Sequence, residues 1–508
     1  MALMICALLG LLVVALVYQY LTWNFGYWRK RKVPGPSPKP LTGNYPNMYT
    51  MKRNPFYDIK DVYSKYNKDY DMVGIFLGRS PQLLVLSPEL AHRVFVTDFK
   101  SFHDNEMGNM VDEKSDFILA NNLFTMKGEQ WKQRRTDITP GLTMSRVKTV
   151  YPVTNEVCGK LNKYIRKQIR NGPQGGINGK DLSLCFTTEM VTDCVLGLSA
   201  QSFTDHPTPV MENIKNLFDQ SWLFVINIVM YTMFPIIRNF RRLRFIPLSV
   251  EKFFVSLMQN AIDAREEQRA AGKQFERVDF LDYILQLAKK HNLNTRQLTA
   301  TTMTFLIDGF DTSATLLAHA LLFLGRDAKI QQRLRDEIKA NLNAQGFVDF
   351  EKLHDLPFLD ACLQETLRHF PPLASSNKLC TQRIVIPNRK GPAVTIEPGT
   401  AVIVPHACFM KDEEYFPNPE IFQPDRFMEP NAAKSYRDRG VFMGFGDGPR
   451  ICIGMRFALT QIKAAMVEVL TNFEVKVNPK TRKDNLFHPF GVVTKLEGNI
   501  WLDFEERS

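Results

Sequence analysis

Cys452 lies in Phe445-Gly446-Asp447-Gly448-Pro449-Arg450-Ile451-Cys452-Ile453-Gly454, where glycines at 444, 446, 448 and 454 surround one sulfur. Such glycines allow positive φ and let the backbone approach something bulky. Phe457, Leu459, Ile462, Ala465, Met466, Val469 and Leu470 follow at helical spacing, which sets the cysteine near a helix N-terminus. The positive end of a helix dipole and a loop of exposed amides both favour a thiolate, a soft anionic ligand for a metal. A lone cysteine is more often a small buried hydrophobe, and glycines before a helix often only make a turn. It is the whole string that argues for chemistry. A second polar group, Asp308-Gly309-Phe310-Asp311-Thr312-Ser313, interrupts the apolar stretch Thr301 to Leu324. Polar groups in mid-core need partners. An acid beside a threonine on a helix is, in isolation, more often a local hydrogen bond than a catalytic pair.

The string Phe445-Gly446-x-Gly448-x-Arg450-x-Cys452-x-Gly454 matches, residue for residue, the haem-binding loop of the cytochrome P450 family, and the chain resembles that family over nearly all its length after residue 41. The resemblance implies haem b as cofactor, with Cys452 as the proximal thiolate ligand of its iron. Phe445 and Gly446 would belong to the haem-binding loop, and Arg450 would reach a propionate. The polar break resembles the family's oxygen-activation segment, in which the helix crosses the distal face of the haem and bends open. Thr312 would there hydrogen-bond the dioxygen, and Asp311 would relay protons to it through water. Trp131-Lys132-Gln133-Arg134-Arg135 resembles the family's Trp-x-x-x-Arg helix, so Trp131 and Arg135 would clamp a propionate. Glu365-Thr366-Leu367-Arg368, with Arg426 from Phe422-Gln423-Pro424-Asp425-Arg426-Phe427, matches the family's internal salt-bridge triad, a fold-holding device.

Three positions depart from the pattern. Lys378 stands where the family often has an arginine, keeping the charge and losing the fork. Met410 replaces a common histidine. Asp308 occupies a place usually held by alanine or glycine.

These residues need a scaffold. The 508 residues are 44% apolar, enough for a large core. Hydrophobic periodicity is mostly helical, with a hairpin at Val73–Leu77 and Leu83–Leu86 around Gly78-Arg79-Ser80-Pro81. The expected architecture is mainly α with a small β region, a cytochrome P450 fold preceded by a single N-terminal transmembrane helix. Residues 1–28 read as the membrane anchor, 29–41 as a basic and proline-rich linker, and 42–508 as the haem-thiolate domain. The apolar run 2–23 is long enough to span a bilayer. Tyr18, Tyr20, Trp23, Tyr27 and Trp28 cluster at its end, and Arg29-Lys30-Arg31-Lys32 keeps the remainder cytoplasmic by the positive-inside rule. No basic segment precedes the run, which argues against a cleaved signal. The run Thr301 to Leu324 is apolar enough for a second span, but its acids argue for a buried core helix.

Sixty-four basic against 53 acidic residues give a net charge of +11, scattered rather than clustered, which suits a membrane or an acidic protein and not nucleic acid. Eight cysteines without CxxC or zinc spacing fit a reducing compartment. Met107–Leu123, Trp222–Ile237 and Leu373–Ser376 would line a substrate cavity, with Arg238, Arg241, Arg242 and Arg244 behind the second.

The chain is most similar to insect microsomal members, which process hormones and plant or synthetic toxins. That similarity implies a monooxygenase of the endoplasmic reticulum membrane acting on a lipophilic compound (xenobiotic, insecticide or hormone-like). Electrons would come from NADPH through NADPH–cytochrome P450 reductase, with cytochrome b5 as a second donor. Lys127, Lys132, Arg134 and Arg439 are candidate contacts for such an acidic partner. The rival readings are a haem-thiolate isomerase or dehydratase acting on peroxides, against which the retained Asp311-Thr312 speaks, and a non-catalytic haem carrier or sensor.

Overall fold

The computed structural model describes the chain except residues 172–174, 205, 207, 218–225, 227–229, 231, 232, 235, 236, 238–243, 272–279, 492 and 508. The described residues are mainly helical, with ten short strands in three sheets. Seven helices organise the site: α1 (Ala2–Thr22), α2 (Gly128–Ile138), α3 (Tyr151–Asn171), α4 (Gly179–Leu196), α5 (Thr295–Arg326), α6 (Pro357–His369) and α7 (Met455–Asn472).

The first is apolar up to its last turn and exposed along nearly its whole length, with Leu21 its one buried residue. Such a helix is stable only where its surface is not in water, consistent with a membrane anchor. Its last turns touch the globule: Tyr20 Oη donates to the Met233 carbonyl at 3.1 Å, and its ring stacks on Phe234. Most of Trp222–Ile237, with Arg238, Arg241 and Arg242, lies outside the described residues, so its role in the cavity stays an expectation; Arg244 is described and pairs with Glu251.

The proline-rich run is extended as expected, yet it is docked rather than free. Gly74 N–H donates to the Pro34 carbonyl at 2.8 Å, and Trp28, buried, donates through Nε1 to the Ile75 carbonyl at 3.1 Å. A β-carbon at Gly74 would lie 2.2 Å from Trp28 Cγ, so only glycine admits this packing. The domain's packing thus reaches back to Trp28, into the segment read as anchor.

The largest sheet has strand order β1-β2-β8-β5-β3. Here β1 is Met72–Leu77, β2 Ser80–Val85, β3 Asp104–Asn105, β5 Ser376–Leu379 and β8 Ala401–Val404. The hairpin is tighter than the sequence suggested: Leu77 pairs with Ser80, leaving Gly78 (φ +57°) and Arg79 as its turn. In the second sheet β4 (Ile177–Asn178) and β9 (Phe473–Val477) flank β10 (Trp501–Glu506); β6 (Ile384–Ile386) and β7 (Val394–Ile396) pair as the third.

The central helix α5 is buried over most of its apolar length, as its acids implied. Asn294 starts it with a reciprocal capping box to Gln297. It packs along α4, which is buried on nearly all sides, begins at the Asn178 cap and ends at Gly197 (φ +68°). It also contacts α6 and α7, while α3 packs across α4 and α7. The helix is continuous through 308–313, where an opening was expected; Thr312 Oγ1 donates to the Asp308 carbonyl at 2.6 Å.

The Glu365 triad is buried. Arg368 Nε lies 2.7 Å from Glu365, with both side chains fully buried, and Arg426 Nε lies 3.5 Å from the same carboxylate. Arg368 also donates to the carbonyls of Met410, Pro419 and Ile421. Burial pushes the Glu365 carboxyl up, but hydrogen bonds from Arg368 and His369 win and hold it down at about 2. Met410, the residue in place of a histidine, is a buried core side chain whose carbonyl serves this network.

Candidate active site

A cavity of about 390 Å³ lies between the Cys452 loop, α5 and the segments around residues 105–150 and 372–378. Its wall includes Cys452, Phe445, Gly446, Arg450, Trp131, Arg135, Lys378 and Thr312. Most of the lining is apolar, with Leu119, Leu123, Phe305, Ile307, Leu316 and Val493 among it. Met107, Leu373 and Ser376 also reach it, as their segments promised.

The cysteine loop is built by its glycines. Gly446 (φ +76°) and Gly448 (φ +65°) are left-handed, and a β-carbon at 448 would sit 2.0 Å from the Phe95 carbonyl oxygen. The Cys452 N–H donates to the Phe445 carbonyl at 2.9 Å, closing the loop on itself. Helix α7 begins at Met455, and the amides of Gly454 and Met455 aim at the sulfur. Cys452 is exposed, but to this cavity, whose wall it forms. Removal from bulk water pushes the thiol up to about 11; the Gly454 amide, Arg135 and the Met455 amide pull it the other way. The helix end and its amides favour the thiolate, as the sequence implied, and burial opposes them in the free thiol. A cation bonded to the sulfur reverses that balance, since a metal-bound thiol is deprotonated outright.

Around this sulfur the cationic residues divide. Arg450 is already committed: Nε donates to the His103 carbonyl at 2.7 Å, Nη1 to Leu123 at 3.1 Å, and Nη2 to Met126 at 2.9 Å and Asp104 at 3.4 Å. At most one of its five donors is left for a propionate. Its guanidinium lies 4.0 Å over the Trp131 ring. Arg135, one turn after Trp131 on α2, spends one donor on the Ile451 carbonyl at 2.8 Å and keeps the others toward the cavity. Lys378 is 2% exposed, and its ammonium meets Asn105 Oδ1 at 2.9 Å and the Phe95 ring at 5.3 Å. Burial, followed by the Arg450 charge, lowers it to about 7. A buried lysine with one neutral acceptor needs an anion to be stable in its charged form. A soft donor, two cationic side chains and an apolar cavity fit a flat apolar group that carries a metal and anionic substituents.

On α5, Thr312 and Asp311 part company. Successive helical residues point about 100° apart. Thr312 faces the central cavity, together with Asp308 and Gly309. Asp311 instead faces a second cavity of about 430 Å³ on the other side of the helix. There its carboxylate pairs with Lys180 at 2.6 Å, and Lys180 also donates to Thr315 Oγ1 at 2.6 Å. Neither Lys180 nor Asn122, which donates to Asp308 Oδ1 at 3.3 Å, stood out in the sequence. Both come from segments with no motif.

Of the surface cations, Lys132 is exposed beside Glu129, and Lys127 and Arg439 are exposed. Arg134 is different: it turns inward, donates to Thr301 Oγ1, and burial lowers it. It is poorly placed to meet a docking partner.

Comparison with known proteins completes the picture. The family model described as "Cytochrome P450" matches residues 33–502. The chain is 61% identical over 495 residues to "Probable cytochrome P450 28a5" of Drosophila melanogaster, covering 97% of this chain and 98% of that one. It is 48% identical to "Probable cytochrome P450 28d1" of the same fly, over 98% and 97% of the two chains. "Cytochrome P450 9e2" of Blattella germanica is 28% identical over 98% of this chain and 97% of its own.

Proposed function

Because the chain belongs to the cytochrome P450 monooxygenase family, we propose that it inserts one oxygen atom of O2 into a lipophilic substrate, using electrons from an NADPH-dependent reductase. The family implies a haem-thiolate cofactor, and haem, when bound, supplies the redox centre at which O2 is reduced. The observation that carries the reading is that Cys452 and Thr312, from distant parts of the chain, line one largely apolar cavity.

Cys452 would hold the iron through Sγ, and the amides of Gly454 and Met455 would stabilise the charge on that sulfur. Phe445 and Gly446 shape the loop beneath. Lys378, Arg135 and the Trp131 edge would hold the propionates; the remaining Arg450 donor is a lesser contribution, since that side chain mainly ties the loop to the carbonyls of residues 103–126. Lys378→Met is therefore expected to lose haem to apomyoglobin severalfold faster than the wild type. An unchanged transfer rate would remove Lys378 from the haem contacts.

Thr312 presents a hydroxyl to the cavity and is the group to hold a proton where oxygen is activated. Asp311, beside it in sequence and tied to Lys180 at the second cavity, is its candidate proton source. Thr312→Ala is expected to keep haem and NADPH consumption while most reducing equivalents leave as hydrogen peroxide. The check is the ratio of product to NADPH. Normal coupling in that variant would transfer the role to another group.

The apolar walls suit a substrate drawn from the bilayer, with few polar groups fixing its orientation. Helix α1 would hold the domain to the endoplasmic reticulum on the cytoplasmic face, and the exposed Lys127, Lys132 and Arg439 are available to an acidic reductase.

A further inference from the structure

The cavity contains a carboxylate that the proposed chemistry does not use. Asp308 lies one turn before Thr312 on α5, so the two share a face and lie about 6 Å apart along the helix axis. Its Oδ1 accepts from Asn122 Nδ2 at 3.3 Å. Asn122 is buried, and its own Oδ1 is taken by the Phe124 N–H at 2.7 Å, so its amino group is the end that must face Asp308. No cation among the described residues pairs with Asp308, and its Oδ2 has no partner there. The other carboxylate on the wall, Asp447, differs: His92 and Arg437 lie 3.4 and 3.8 Å from it. Of the cavity's cationic side chains, Lys378 meets Asn105, Arg450 is held by the 103–126 carbonyls and Arg135 gives one donor to Ile451; neither these nor Arg146 on the same wall pairs with Asp308.

A charge with one neutral donor in an apolar enclosure is costly unless a counter-ion joins it. Asp308 is exposed, but to this cavity, whose wall it forms. Withdrawal from bulk water pushes its carboxyl up to about 7, with the Asn122 amide opposing, and a cation at Oδ2 would favour the ionised form further. The surrounding walls accept hydrocarbon. We propose that Asp308, held by Asn122, is a specificity-determining anchor for lipophilic substrates that carry a basic, protonated nitrogen. The inference rests on the monooxygenase reading and names the substrate class of that same cavity. The ammonium would donate to Oδ2 while the hydrocarbon body fills the rest of the cavity, so neutral compounds of the same shape bind less tightly.

The test uses the full-length, haem-loaded protein in phosphatidylcholine nanodiscs at pH 8. Two probes of matching shape are compared by equilibrium dialysis: N-benzylpiperidine, protonated at its nitrogen, and benzylcyclohexane, its carbon counterpart. The wild type is expected to prefer the amine by at least about tenfold. In Asp308→Asn that preference should fall to within about twofold, through weaker amine binding. Asp308→Ser should give the same loss, which separates charge from side-chain shape and covers a failure of either variant to fold. Equal affinities in the wild type, or a preference that survives both substitutions, would overturn the proposal. So would an optical shift showing the amine nitrogen bound to iron. The reduced carbonyl spectrum, taken on the same samples, tests the haem-thiolate reading separately: its failure would leave the dialysis result standing.

Discussion

Cys452→Ser is expected to abolish turnover and the red-shifted, thiolate-type band of the reduced carbonyl complex, leaving a protein that is folded but inactive. The loop owes its shape to Gly446, Gly448 and the Phe445 carbonyl that accepts the Cys452 N–H, none of which needs the sulfur. A serine hydroxyl fits the same space. It is a harder donor that stays protonated far more stubbornly than a thiol, so it would not supply the anionic sulfur ligand on which haem-thiolate chemistry depends. Secondary structure measured by circular dichroism should be retained. If the variant keeps the thiolate-type band, another side chain holds the iron and the site has been misread.

The second large effect is structural. Glu365→Ala leaves Arg368 fully buried and Arg426 nearly so, both without their carboxylate. Removing one partner of a buried pair costs roughly 3–5 kcal/mol, because the surviving charge is stranded. Helix α6, which carries Glu365, packs on α5 and on the segment holding Arg426, so the loss loosens the scaffold under the cavity. Urea unfolding should register the difference, with poor haem retention beside it. Acid acts on the same group. The folded carboxyl sits near 2, below its ordinary value of 4.5, so its contribution is present above pH 4.5 and lost as pH falls toward 2. The wild type should lose stability across that interval, and Glu365→Gln should show a flatter dependence there. A change below about 1 kcal/mol for Glu365→Ala would mean that the arginines find water or other acceptors.

How much of this was legible in the sequence follows from the range of each interaction. The exposed N-terminal apolar helix, the hairpin around Gly78, the buried central helix and the cysteine loop are local patterns, carried by composition, periodicity and glycine, and they stand close to where the sequence puts them; the hairpin's tighter turn and the Asn294 cap were not read. The partners of the acids on α5 were not legible. Lys180 reaches Asp311 across 131 positions and Asn122 reaches Asp308 across 186, and no periodicity encodes such pairs. The direction of a charged side chain was equally hidden. Arg450 read as a propionate contact and Arg134 as a contact for an acidic partner, yet the first spends most of its donors on backbone carbonyls and the second is turned toward Thr301. The burial acting on the Cys452 sulfur was also hidden, because the favourable helix end is visible in sequence while the desolvation opposing it is a property of the fold.

Iron K-edge X-ray absorption of the purified holoprotein tests the central claim most directly. A single sulfur scatterer in the inner shell of the iron, absent from Cys452→Ser, is the predicted result. An inner shell made only of nitrogen and oxygen in the wild type would contradict it.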